Sequence, residues 1–115
     1  MRQISAKRGD IWLADLRPPQ GHVLRGRHPV VVVSSDRTNR RSGILMVVPL
    51  TSSNKRPMHC HVRIAGFGLH RESVALAEQL TTVPADCLLY PLGSLLGSRE
   101  MAELERAIKL HLEVA

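Results

Sequence analysis

Two short, wholly apolar runs flanked by turn formers constrain this chain more than any other feature. Pro29 opens Val30-Val31-Val32-Val33, and after a polar interval comes Ile44-Leu45-Met46-Val47-Val48. Four consecutive β-branched residues are poorly suited to a helix and well suited to a pleated strand. Neither run alternates with polar residues, so both are predicted to be strands buried on both faces. Pro29 is expected at the first strand position, where a missing N–H breaks no ladder. The second strand is expected to end at Pro49-Leu50-Thr51-Ser52-Ser53.

Weaker signals fill in the rest. Ile11 to Leu16 reads as a strand stopped by Pro18-Pro19, and residues 17–28 as a long loop with Gly21 and Gly26. Ser34 to Gly43 is an Arg-rich turn or short helical excursion. His59 to Ile64 alternates like a half-exposed strand, and Gly66 and Gly68 break it. Ser73 to Ala77 reads as another strand, Pro84 to Leu89 as one helical turn, and Leu92 to Leu95 as a short edge strand. At the end, Ser98 is placed to cap a helix whose Met101, Leu104, Ile108 and Leu112 recur at helical spacing. The fold class is therefore mainly β with a C-terminal α-helix, arranged as a small antiparallel barrel in one domain over residues 1–115.

Charge separates the two halves of the chain. Residues 1–63 carry 12 basic and three acidic side chains, a net +9, whereas residues 64–115 carry a net −3, giving +6 overall. A basic half of that density suits a polyanion or an acidic partner. No apolar run is long enough to span a membrane, and the N-terminus lacks the apolar core of a signal peptide. Two cysteines, Cys60 and Cys87, make no disulfide framework. These features favour a reducing, cytoplasmic setting.

The densest polar cluster is Gln20-Gly21-His22-Val23-Leu24-Arg25-Gly26-Arg27-His28. Imidazoles move protons near neutral pH, and guanidiniums hold phosphoryl oxygens bidentately. Together they meet the needs of metal-independent RNA cleavage, although a solvated basic loop has the same composition. His59-Cys60-His61 is not a metal site, because three adjacent strand residues cannot all reach one ion and no partner pair follows. His59, His61, His70 and His111 are all expected at the surface. Thr51-Ser52-Ser53 and Glu78-Gln79 follow strands, at the rim of a site or in ordinary turns. No Gly-rich phosphate loop, nucleophile elbow or catalytic Cys–His setting occurs. With only Trp12, Phe67 and Tyr90 as aromatics, stacking platforms for bases are scarce.

Taken in order, these pieces resemble the MazF/PemK/Kid family of toxin endoribonucleases from bacterial toxin–antitoxin pairs. The similarity rests on Arg8-Gly9-Asp10-Ile11-Trp12, Gly21-His22, Gly26 to Pro29, Val47-Val48-Pro49-Leu50-Thr51-Ser52, Gly68-Leu69, Glu78-Gln79 and the terminal helix. The resemblance implies an SH3-like β-barrel homodimer. It implies an mRNA interferase that cuts single-stranded RNA at short sequences without metal or other cofactor. The products would be a 2′,3′-cyclic phosphate and a 5′-OH. It also implies a cognate antitoxin whose acidic tail covers the RNA groove.

Family roles carry over residue by residue. The Thr of the Pro-x-Thr-Ser segment is Thr51. The His that some members place after the loop glycine is His22, and their acid position is Glu78. The family's Arg before the strand proline is replaced here by His28, and its Glu two residues after the loop glycine by Val23. Either Arg27 or Arg25 takes the vacant role, or His28 does, or activity is reduced. The expected catalytic set is His22, Arg27, Thr51 and Glu78. RNA contacts are expected from Arg25, His28, Ser52, Ser53, Lys55, Arg56 and Gln79. Two other readings of the same fold are a catalytically weak module that binds RNA or an acidic protein, and a gyrase-directed toxin like the CcdB relatives.

Overall fold

The computed structural model describes residues 5–16, 26–52 and 56–115. They form β1 (Asp10–Leu16), β2 (Gly26–Val32), α1 (Asp36–Ser42), β3 (Ile44–Thr51), β4 (His61–Ile64), β5 (Ser73–Leu76), β6 (Thr81–Pro84), β7 (Leu88–Ser94) and α2 (Arg99–Leu112). Single 3₁₀ turns at Ala77–Gln79 and Ala85–Cys87 link the later strands. All pairings are antiparallel, in the order β4-β5-β3-β2-β1-β7, with β6 joining β3 beside β5.

The valine run holds the centre, as its composition predicts. Val31 and Val33 face one core with Ile11, Val48, Leu50, Ile64 and the α2 residues Met101, Leu104 and Ala107. Val30 and Val32 face a second core with Trp12, Ala14, Leu45, Val47 and Val83. Burial on both faces removes the polar alternation that a half-exposed strand would show.

Both strands differ from expectation at their prolines. β2 begins at Gly26, three residues before Pro29, and β3 continues through Pro49 to Thr51. Each proline sits where one strand edge has no partner. The β2–β3 ladder starts only at Val30↔Pro49, so Pro29 has β1 alone beside it. Pro49 lies between the stretch of β3 that pairs with β6 and the stretch that pairs with β5. An absent N–H costs little on an unpaired edge.

Caps set the helices. Ser35 Oγ accepts the Thr38 N–H at 3.2 Å, and Gly43 ends α1 at φ 70°. Ser98 Oγ accepts the Met101 N–H at 3.0 Å. α2 buries Met101, Leu104 and Ala107, whereas Leu112 in its last turn is exposed rather than part of the core. Arg8 ties the ends of the fold together. Its guanidinium donates to the Val33 carbonyl and to Glu105 of α2, and its N–H donates to Asp36 Oδ1 at 2.7 Å. Among the described residues no helix is long and apolar enough to cross a membrane.

The barrel is completed by packing, since β4 and β7 do not pair with each other. The turn Gly66-Phe67-Gly68 after β4, with all three residues at positive φ, lies against the backbone of β7. A Cβ on Gly68 would stand 1.9 Å from the Leu92 carbonyl oxygen, and one on Gly93 2.0 Å from that of Phe67. Two glycines thus let the ends of the sheet meet backbone to backbone.

Candidate active groove

That seam shapes a groove of about 320 Å³. Leu13, Pro29, Leu50, Leu69 and Leu92 give it an apolar lining. Its polar lining comes from Arg27 and His28 of β2, Thr51 and Ser52 at the end of β3, Ser73, and His70, Arg71 and Tyr90. Among the described residues, no carboxylate lines it. Neither Arg27 nor Arg71 takes part in an ion pair among the described residues. Two guanidiniums line the opening, while Asp15, the cross-strand neighbour of Arg27, is not among the lining residues, a balance that favours an anion.

Register orders the polar side chains. The β1–β2 pairs Leu13↔Pro29, Ala14↔His28 and Asp15↔Arg27 make Arg27 share a sheet face with Pro29 and Leu13, while His28 shares the opposite face with Val30. Continuing the β2–β3 register past its last pair, Val30↔Pro49, sets His28 across from Thr51. The paired ladder itself ends at Val30↔Pro49, and beyond it both His28 and Thr51 line the groove. Thr51 is nearly buried and His28 half-exposed. His28 and Thr51 thus line the groove together, and Arg27, which also lines it, points to the other side of the pleat from His28.

Among the expected site residues, Arg27, His28, Thr51 and Ser52 come together in this groove. His22, Arg25, Ser53 and Lys55 lie outside the described residues. Arg56 is exposed, and neither it nor Gln79 lines the groove. Glu78 is also elsewhere. One carboxylate oxygen accepts the His61 Nε2–H at 3.0 Å, and the other lies 3.6 Å from the Cys60 thiol. This cluster anchors the turn before β4 to the 3₁₀ turn after β5, and leaves Glu78 no part in the groove as it stands.

The same cluster corrects the reading of the β4 histidines. β4 starts at His61, so His59 sits in the preceding turn and the two histidines do not share a strand face. His59 is exposed, but the His61 side chain is only 9% exposed. His61 Nδ1 accepts the Met58 N–H at 3.3 Å, which leaves Nε2 to carry the proton donated to Glu78. Burial pushes the Cys60 thiol above its ordinary value, and the adjacent Glu78 carboxylate pushes it further. For Glu78 burial works upward, but hydrogen bonds from His61 and from backbone prevail and hold it below the usual glutamate range.

Sequence reasoning missed His70, Arg71 and Tyr90 as groove residues. His70 is exposed, as expected, yet it borders the groove because the 66–68 turn carries the following segment onto β7.

A barrel-like antiparallel sheet with a C-terminal helix thus carries a cationic groove beside the end of the β2–β3 ladder. Residues 7–112 match the model of the PemK-like, MazF-like toxins of type II toxin–antitoxin systems, and the chain belongs to that family. It is 36% identical to endoribonuclease MazF9 of Mycobacterium tuberculosis, over 94% of this chain and 97% of the relative. Among solved structures, MazF of Deinococcus radiodurans superposes with a TM-score of 0.83 at 19% identity, covering 97% of this chain and all of that one. A mycobacterial endoribonuclease in complex with its cognate antitoxin gives a TM-score of 0.77 at 22% identity, covering 98% of each chain.

Proposed function

We propose that this chain is an endoribonuclease toxin that cleaves single-stranded RNA by metal-independent transesterification. The observation that carries this reading is a groove with Arg27, Arg71, His28 and Thr51 and, among the described residues, no lining carboxylate. In the proposed reaction a ribose 2′-OH attacks the adjacent phosphorus and the bond to the 5′-oxygen breaks. A base removes the 2′ proton and an acid returns one to the leaving oxygen. The products are a 2′,3′-cyclic phosphate and a 5′-OH.

Among the groove residues, imidazoles are the groups suited to exchange those protons. His28 is assigned that exchange because it lines the groove together with Thr51. Thr51 orients the phosphate through its hydroxyl, while Arg27 and Arg71 stabilise the charge that builds on the phosphoryl oxygens. His22, implied by the family resemblance, is the natural second proton carrier. The chain's basic N-terminal half suits the acidic tail of a cognate antitoxin, and a homodimer is the expected assembly.

The test is incubation of the full chain with a long single-stranded RNA in excess EDTA, with mapping of the new 5′ ends. Discrete 5′-OH ends, lost or reduced at least about 100-fold in His28→Ala as expected for a general acid or base, support the assignment. Full activity in His28→Ala overturns the role of that residue. Intact RNA that is still bound by the wild-type chain favours the binding-module reading, for which the replacement of the family Arg by His28 is the structural motive.

A further inference from the structure

Among the described residues, Tyr90 is the one Phe, Trp or Tyr side chain that lines the groove. Of the others, Trp12 is buried in the second core and Phe67 packs against the first. Tyr90 stands on the edge strand β7, opposite Leu13 in the β1–β7 ladder, and is 52% exposed. A tyrosine that exposed contributes little to the core. Its ring instead forms a wall beside Leu13 and Leu92, with Arg27 and Arg71 also at the groove.

The dimensions restrict what can enter. A volume of about 320 Å³ is at the small end of the roughly 300–1,000 Å³ range of ligand cavities. It suits a single nucleotide unit and excludes a duplex. An apolar lining next to guanidiniums suits an unstacked base attached to a phosphate, and exposed aromatic rings are the usual platforms for such bases. Resting on the nuclease reading above, we propose that Tyr90 is a specificity-determining residue. One unstacked base stacks on its ring, and this contact fixes which phosphodiester lies between His28 and Thr51.

Stacking requires the π face and not the hydroxyl, which separates it from hydrogen bonding. The experiment compares the wild-type chain with Tyr90→Phe, Tyr90→Leu and Tyr90→Ala, each checked for native circular dichroism. The probes are single-stranded RNA 12-mers carrying 2-aminopurine at successive positions. In wild type and Tyr90→Phe, one position changes its emission on binding. In Tyr90→Leu and Tyr90→Ala that change disappears, and kcat/KM falls about tenfold to a hundredfold, the scale of one lost base–aromatic stack. The end map broadens in the same two variants.

Equal cleavage maps and unchanged emission in Tyr90→Ala overturn the proposal. So does an equal loss in Tyr90→Phe, which would mark a hydroxyl contact. If the wild-type chain binds RNA without cutting it, the nuclease reading fails, and the emission series still decides the role of Tyr90. If it binds no RNA, both readings fall.

Discussion

Gly93→Ala isolates the seam that closes the barrel. Gly93 is not among the glycines at positive φ, so alanine suits its backbone. In an unstrained site that change would stabilise by about 0.4–1 kcal/mol by restricting the unfolded chain. Here the new Cβ would lie 2.0 Å from the Phe67 carbonyl oxygen and 2.8 Å from its carbon. A comfortable carbon–oxygen contact is about 3.3 Å, so two backbone segments must part by more than an ångström. Overpacking against groups that cannot rotate away costs about 1–3 kcal/mol. We expect the upper part of that range, since both partners are main chain. At about 4–8 °C per kcal/mol for a domain slightly smaller than this one, Tm drops by about 10 °C or more. Thermal unfolding followed by far-ultraviolet circular dichroism measures it. Gly43→Ala is the control: its φ is +70° but no atom lies within 4 Å of the added carbon. Its cost is confined to left-handed strain, about 1–2 kcal/mol. Gly68→Ala combines both penalties and should be the most damaging. A Tm for Gly93→Ala equal to or above wild type, or no lower than that of Gly43→Ala, would refute the close approach.

Further expectations concern the polar links. Glu78 is held below the ordinary glutamate value of 4.5 in the fold, so below about pH 4.5 the unfolded chain takes up its proton first. The contribution of this group is therefore present above that pH and is lost as pH falls through the folded value. Tm between pH 6 and pH 3 should fall less steeply in Glu78→Gln than in wild type; parallel curves would count against the link. Arg8→Ala removes the bonds to Val33 and Glu105, an ion pair whose side chains are 34% and 45% exposed. Solvent screening keeps that pair small, so the loss should be about 1–2 kcal/mol, mainly from the buried carbonyl left without its donor. Urea unfolding of Arg8→Ala, Glu105→Ala and the double variant measures it, and a coupling of zero between the two would exclude a direct pair.

What the sequence discloses depends on how local the cause is. The central strand β2 is legible because Val30–Val33 is buried on both faces and so contains no polar residue. β3 is buried on both faces only from Val47 onward: Ile44 and Met46 are 46% and 40% exposed, which corrects the expectation of two-sided burial for the whole run. Ser98 announces α2 because capping is settled within four residues, whereas the cap of α1, Ser35, lies in a polar stretch that read equally as a turn. β6 escaped notice because Thr81-Thr82-Val83-Pro84 buries only Val83, too little for a periodic signal. The strand continuations around Pro29 and Pro49 depend on which edge has a neighbour, and no local pattern encodes that. His61 looked like a surface residue because its cover, Glu78, is 17 positions away. Half of the groove was legible for the same reason that half was not. Arg27, His28, Thr51 and Ser52 lie beside the obvious strands, whereas Tyr90 reaches it through the pairing of β7 with β1, and His70 and Arg71 through the contact of Gly68 with β7.

The two-sided burial of the sheet also gives the protein a built-in optical division. Trp12, the sole indole, is 9% exposed in the second core, with its Nε1–H directed to Asp10 Oδ2 at 3.4 Å. Its neighbour Leu13 points the other way, into the groove. Tryptophan emission thus reports the integrity of one face of the sheet, and tyrosine, present only as Tyr90, reports occupancy of the other. Folding and ligand entry can be followed separately in the same unlabelled sample.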